Sequence, residues 1–161
     1  MNIFYLHENP YKAAEYQYNK HVVKMILESA QMLCTAHHCY GDAEQKANVP
    51  YKQAHLNHPS TIWVRENVLH YRWLYNHMLA LGLQYIKRYG KQHLSIYKCR
   101  EACLWAPEGM PMLPFKQPPQ AMPDEYKHED SIIAYWQYYI NDKAHIAAKT
   151  EKKYERIPIF N

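Results

Sequence analysis

The sequence predicts an all-α fold: a single-domain bundle of three to four main helices, with a long proline-rich segment packed across it. Three observations predict this. Apolar residues recur at three- and four-residue steps through residues 11–38 and 61–89. Only 4 of the 161 residues are glycine. The 10 prolines gather mostly between positions 107 and 123, so helices can run uninterrupted elsewhere.

Residues 1–6 alternate apolar and polar, which fits a short strand or an extended arm. Asn9-Pro10 marks a boundary, and a helix follows to about residue 38, where Gly41 and Asp42 end it. On this helix Val22, Ile26, Ser29 and Leu33 stack on one face, while His21, Lys24 and Glu28 form a stripe of their own. Residues 45–57 are polar and read as a surface loop with one helical turn at most. His58-Pro59-Ser60 opens the second long helix, with Ser60 or Asn57 as its cap. Ile62, Leu69, Trp73, Met78, Leu81 and Tyr85 form its inner face, and Gly90 stops it. A shorter helix spans residues 95–105 and closes at Pro107. Residues 108–126 hold too many prolines for regular structure. Their Met110, Met112, Leu113, Phe115 and Met122 predict packing over the helices, since a free linker would be more polar. Asp130 caps a last helix reaching about residue 149, and the final Ile-Pro-Ile-Phe docks back.

Residues 1–161 fit one domain, and a hydrophobic content of 48% excludes wholesale disorder. No apolar run approaches the roughly 20 residues that span a bilayer. MNIFYLHENP lacks the charged and apolar regions of a secretory signal, so a cytoplasmic protein with no membrane partner is expected. A net charge of +4 permits a nucleic-acid partner without demanding one. The 16 tyrosines and 4 tryptophans suit stacking on bases, and equally suit a half-exposed helical interface. Trp63, His70, Tyr71 and Trp73 crowd one helix, where aromatic core is the safer reading for Trp73. Cys34 and Cys39 flank His37 and His38, and Cys99 and Cys103 stand at i, i+4. Such spacings could assemble a zinc site, but neither pair has C-x-x-C spacing. Cys34 and Cys103 also fall on apolar faces, so buried free thiols and no metal are expected. Phosphate loops, G-x-S-x-G elbows and H-E-x-x-H motifs are absent, which weighs against nucleotide kinases, serine hydrolases and zinc peptidases.

The stripe of His21, Lys24 and Glu28 carries the most chemistry. An amine beside further positive charge (Lys20 one turn before, His21 adjacent) can attack carbon and form an imine while a carboxylate manages protons. A surface ion pair is the competing reading, yet Lys preceding Glu at i, i+4 is the weaker orientation for stability. His58 sits where a helix N-terminus attracts phosphate, with Arg65 and Asn67 in reach; a backbone-bonded capping histidine is the plainer reading. Arg88, Lys91 and His93 surround Gly90 as a second basic cluster, which the helix dipole alone would also favour. Asp124 and Lys127 follow Met122-Pro123, where a proline-fixed loop could aim them at a cleft.

The segments NKHVVKMILESAQML, NHPSTIWVREN, RYGKQH, PPQAMPDEYK and AYWQYYINDK together resemble a family of small phage and bacterial proteins. Its members are labelled pyrimidine-dimer DNA glycosylase, or endonuclease V-related, and the resemblance covers most of the chain. It implies an all-α fold, an amine nucleophile attacking the sugar C1′, and a glutamate on the first long helix, which Glu28 matches by position. The best-known members use the amine of an N-terminal threonine. Here Met1 is followed by Asn2, too large for ready methionine removal, so the Met1 amine, Lys24 or Lys20 takes that place or the chemistry is absent.

The expectation is therefore a DNA glycosylase and lyase acting on damaged or modified pyrimidine nucleotides in double-stranded DNA. Lys24 or the terminal amine is the nucleophile, Glu28 the acid/base, and His21 tunes the pair. Lys20, His58, Arg65, Asn67, Arg88, His93 and Lys127 contact nucleic acid, and no metal or organic cofactor is needed. The alternative is a phage accessory protein, related to host defence or base modification, that binds a nucleotide or DNA without catalysis. A third reading, a transferase on hypermodified thymine, needs a co-substrate pocket that no motif reveals.

Overall fold

The computed structural model describes residues 1–160 and is all-helical, with no strand among them. Its helices are α1 (Pro10–Tyr16), α2 (Asn19–Tyr40), α3 (Ala43–Asn48), α4 (Pro59–Glu66), α5 (Val68–Tyr89), α6 (Leu94–Cys99) and α7 (Ser131–Asp142). Single 3₁₀ turns occupy Asp124–Tyr126, Ala144–Ile146 and Pro158–Phe160. No helix among the described residues is long and apolar enough to cross a membrane.

Helix α2 is the axis. Val22, Ile26, Ser29 and Leu33 are buried as their spacing predicts, and Met25, Ala30, Met32 and Ala36 are buried too. A helix apolar on more than one side must be covered on more than one side. Accordingly α5 packs along α2, while α4 and α6 also lie against it. Each fully buried Leu, Ile or Met there stabilises the fold by roughly 1.5–3 kcal/mol relative to exposure.

Two predicted long helices are each broken once. Helices α1 and α2 part at Gln17 and Tyr18, both extended and buried, and the Tyr18 N–H donates to Tyr139 Oη at 2.8 Å. Helices α4 and α5 part at Asn67, whose Oδ1 accepts from the N–H groups of Leu69 (2.7 Å) and His70 (3.2 Å). A buried Asn offering its side-chain oxygen to two otherwise orphaned N–H groups is an N-cap, and it resets the chain there. One consequence is that Ile62, expected inward, lies exposed on α4.

Residues 1–6 are extended but pair with no strand; Ile3, Phe4, Tyr5 and Leu6 are buried in the core. Residues 45–57 begin within α3, which Asp42 caps through a reciprocal bond with Gln45. The third predicted helix is shorter than expected, ending at Cys99. The proline-rich segment does lie across the helices, held mainly by its carbonyls. Trp63 Nε1 donates to Lys116 O (2.9 Å), Val68 N to Pro111 O (2.9 Å) and Tyr135 Oη to Pro119 O (2.7 Å). Its Met112, Leu113 and Phe115 side chains remain exposed, so only Met110 is fully buried as expected. Helix α7 ends seven residues short of the expected position, at Asp142, with Trp136 and Tyr139 buried. In the tail, Ile157 and Ile159 pack half-buried on the core; the Phe160 side chain and Asn161 lie outside the described residues.

Candidate functional site

The residues at the start of the chain and the middle of α2 build a site together. Asn2 folds the N-terminal segment: its Oδ1 accepts from Ile3 N (2.7 Å) and Phe4 N (3.1 Å), and its Nδ2 donates to Ala121 O (3.1 Å). Phe4 adopts a left-handed φ of 54°, a conformation an L side chain adopts at a cost of roughly 1–2 kcal/mol. Stacking on His21 at 4.1 Å and edge contacts with Tyr135 and Tyr139 hold it there.

That turn carries the chain start to Glu28. The Met1 ammonium lies 4.0 Å from Glu28 Oε2, the Asn2 N–H donates to the same oxygen at 3.0 Å, and Lys24 Nζ lies 3.7 Å from Oε1. The Met1 side chain is 1% exposed although the residue as a whole is half-buried, so what water reaches at Met1 is its main chain. Neither ammonium is close enough to Glu28 for a strong hydrogen bond. Glu28 thus sits half-buried between two amines with lone pairs to spare, and Lys24 reaches it on an exposed stem.

His58 belongs to the same neighbourhood. Its Nδ1 accepts the Ser60 N–H at 3.1 Å and caps α4, which leaves Nε2 as the protonated nitrogen. Burial, with the Met1 ammonium and His55 adding to it, lowers its pKa from the ordinary histidine value, against an upward pull from Glu28. His58 is therefore a neutral donor near the amine. The next residue, Pro59, is on the wall of a cleft of about 1060 Å³ that Pro118, Pro119, Ala121, Lys127 and His128 also line; Met1, Lys24, Glu28 and His58 do not line it. The Asn2–Ala121 bond ties the cleft wall to the chain start. Lys127, exposed on that wall, pairs with Asp124 at 2.8 Å.

The other predicted residues separate from this group. His21 is on the same helix but faces the core: Nδ1 contacts Tyr139 Oη at 3.0 Å, and burial, then Lys143 and Lys24, push its pKa down to about 3. It supports Phe4 and so acts on the site only through the N-terminal turn. Lys20 is exposed on α2. Arg65 donates to Leu56 O at 2.8 Å and pins the loop before α4, and Asn67 is consumed in capping α5. Arg88 donates to Gln17 O (2.7 Å), Asn19 Oδ1 (3.0 Å) and Glu15 O (3.1 Å), which spends its guanidinium on the α1–α2 break. His93 caps α6 by accepting Ser95 N at 3.1 Å and lies edge-on to Tyr85. Trp63, His70, Tyr71 and Trp73 are all buried.

Asn2 and His55, which stands beside His58 with a left-handed φ of 48°, are the site members that sequence reasoning missed. The only signal for Asn2 was its type, since Asn side chains favour bonds to the backbone two residues on. Away from this site, Cys34, Cys99 and Cys103 converge in the core, while Cys39 is exposed and apart. No family model, curated protein or solved structure matches this chain.

Proposed function

We propose that the protein is an imine-forming DNA glycosylase and lyase whose nucleophile is the α-amine of Met1 and whose acid/base is Glu28. One observation carries the reading: a half-buried carboxylate on α2 is bonded to the backbone of residue 2 and placed 4.0 Å from the terminal amine, and the Asn2 side chain ties that pair to Ala121 on the wall of a cleft. Glu28 takes a proton from the ammonium, and the freed nitrogen lone pair attacks C1′ of an extruded nucleotide. The C1′–N glycosidic bond breaks, its electron pair leaving with the base. The departing base anion takes the second amine proton, the C1′–O4′ bond opens as Glu28 returns its proton to O4′, and a protonated imine is left. Glu28, a carboxylate again, takes a proton from C2′, and the C2′–H electron pair expels the 3′ phosphate and nicks the strand. Lys24, paired to the other oxygen of Glu28, adds positive charge for the phosphate backbone, as do Lys20 and Lys127 at the surface. His58 donates from Nε2 to a sugar or phosphate oxygen.

Borohydride reduction on an oligonucleotide containing an abasic site tests this. Intact mass first establishes that Met1 carries a free amine. The expected result is a covalent protein–DNA adduct that maps to Met1, persists in Lys24→Ala and disappears when the N-terminus is acetylated. An adduct mapping to Lys24 would move the nucleophile. No adduct with any abasic or dimer substrate, with DNA binding retained, would leave the non-catalytic binder as the reading.

A further inference from the structure

Three of the four cysteines meet in the core, Cys34 distant in sequence from the neighbouring Cys99 and Cys103. Cys34 comes from α2, Cys99 from the last turn of α6 and Cys103 from the turn that follows. Their sulfurs all lie within 4.8 Å of one another, and each residue is 0% exposed. The Cys34–Cys103 separation is 3.8 Å. A tetrahedral ion with Zn–S bonds of about 2.3 Å spaces its sulfurs by about 3.8 Å. A disulfide would need about 2.05 Å and would use only two of the three.

Hydrogen bonds tie down the backbone around the sulfurs. Tyr71 Oη donates to Cys103 O at 2.8 Å, Tyr75 Oη donates to Arg100 O at 2.6 Å, and Cys103 N donates to Cys99 O at 2.9 Å. Tyr71 has one proton, given to Cys103 O, so His37 Nε2 at 2.8 Å must be the donor to Tyr71. His37 Nδ1 is then a bare lone pair, buried without a partner, one helical turn from Cys34. A buried acceptor left unbonded is costly, but this nitrogen is not one of the atoms that converge with the three sulfurs, so the site rests on the thiols alone. Residues 94–106 also need an anchor. Tyr97, Leu104 and Trp105 are exposed, so Ile96, Cys99 and Cys103 are the apolar side chains this stretch buries fully, apart from half-buried residues.

We infer that Cys34, Cys99 and Cys103 form a structural site for one thiophilic ion, Zn(II), bound through three thiolates and stapling the α6 segment to α2. Binding releases the three thiol protons to solvent, and the ion loads as the chain folds, because the finished site is closed. The site is independent of Met1 and Glu28.

Protein expressed with zinc and purified under reducing conditions is measured for metal by mass spectrometry. One zinc per chain is expected in the wild type and in Cys39→Ser, and none in Cys34→Ser or Cys103→Ser. If the core variants fail to fold, the wild type refolded with Co(II) supplies the second reading. The near-ultraviolet thiolate-to-cobalt charge transfer is then expected, saturating at one equivalent. A wild type that folds without metal and shows no Co(II)–thiolate absorption after refolding in excess cobalt overturns the inference. Zinc retained in both core variants overturns it equally.

Discussion

The main-chain N–H of Asn2 donates to Glu28 Oε2 at 3.0 Å across 26 residues of sequence, so the carboxylate is oriented by the chain start as well as by its own helix. Replacing Glu28 with Gln preserves an acceptor for that bond and removes the charge. Glu28→Gln is expected to fold with a stability change within about 1 kcal/mol, since one backbone bond survives and the lost ion pairs are long and partly exposed. Nicking of an abasic oligonucleotide should fall by about 10² or more, the usual contribution of a positioned acid/base. Unchanged nicking would remove Glu28 from the mechanism.

Asn2→Ala deletes two acceptor bonds and one donor bond and leaves Phe4 in a left-handed conformation held by its ring contacts alone. The expected cost is about 2 kcal/mol in urea unfolding. Because the same turn carries the amine to Glu28, borohydride adduct yield should drop further than stability alone explains. Loss of stability with full trapping would show that the turn does not position the amine.

How much of this was visible beforehand depends on whether a residue acts through local periodicity or through distant partners. The buried face of α2 follows from spacing, because Val22, Ile26 and Leu33 lie one turn apart whatever covers them. The break at Asn67 does not, because the apolar period runs straight through it and only the side-chain cap distinguishes it from an interior Asn. Charge was legible as type but not as use. Arg88 and Arg65 look like phosphate ligands in sequence, whereas the fold spends both on backbone carbonyls. Glu28 and Lys24 were found by helical spacing, but the amine opposite them belongs to a segment whose path no local pattern encodes. The Cys99–Cys103 pair is legible at i, i+4, but its meeting with Cys34 is tertiary and is not.

Arg88 supplies a prediction of its own. Its planar fork reaches four oxygens at once, from Gln17, Asn19, Glu15 and Gln84. A lysine carries the charge but cannot reproduce that geometry. Arg88→Lys should therefore lower stability by about 2 kcal/mol and leave the salt dependence of DNA binding unchanged. A normal denaturation midpoint with a shallower salt slope would restore Arg88 to the phosphate-binding surface.

Burial lowers the pKa of four core histidines, His21, His37, His70 and His77, and the two lowered furthest are His77 and His21. His77 is fully buried; Pro10 O at 2.9 Å requires Nδ1–H, so Nε2 must accept from Gln17 Nε2 at 3.1 Å. Protonation would set N–H against N–H. Burial lowers its pKa from 6.5 to about 4, and that of His21 to about 3. A depressed histidine pKa means that the unfolded chain binds the proton more readily. The stabilisation is therefore complete above pH 6.5 and is lost as pH falls, through about 4 for His77 and about 3 for His21. His77 alone accounts for roughly 3 kcal/mol between those limits. Urea midpoints measured from pH 7 to pH 4.5 should fall steadily, while nitrogen NMR shifts show both rings neutral in the folded protein at pH 5. Protonated rings in the folded state at that pH would contradict the assignment.

Gly82 lies inside α5, where an added Cβ would sit 2.8 Å from Ile96 Cγ1 and 2.9 Å from Cδ1. Alanine improves helix propensity by up to about 1 kcal/mol. Forcing a methyl into a packed contact costs about 1–3 kcal/mol, and Ile96, buried between α5 and α6 beside Cys99, has little room to retreat. The overpacking term should win, so Gly82→Ala is expected to destabilise despite its better intrinsic preference. If the Ile96 contact is the cause, truncating it must relieve the strain. The double variant Gly82→Ala/Ile96→Ala should then be more stable than the sum of the single changes by about 1 kcal/mol or more. Strict additivity in the thermodynamic cycle would place the cost of Gly82→Ala elsewhere.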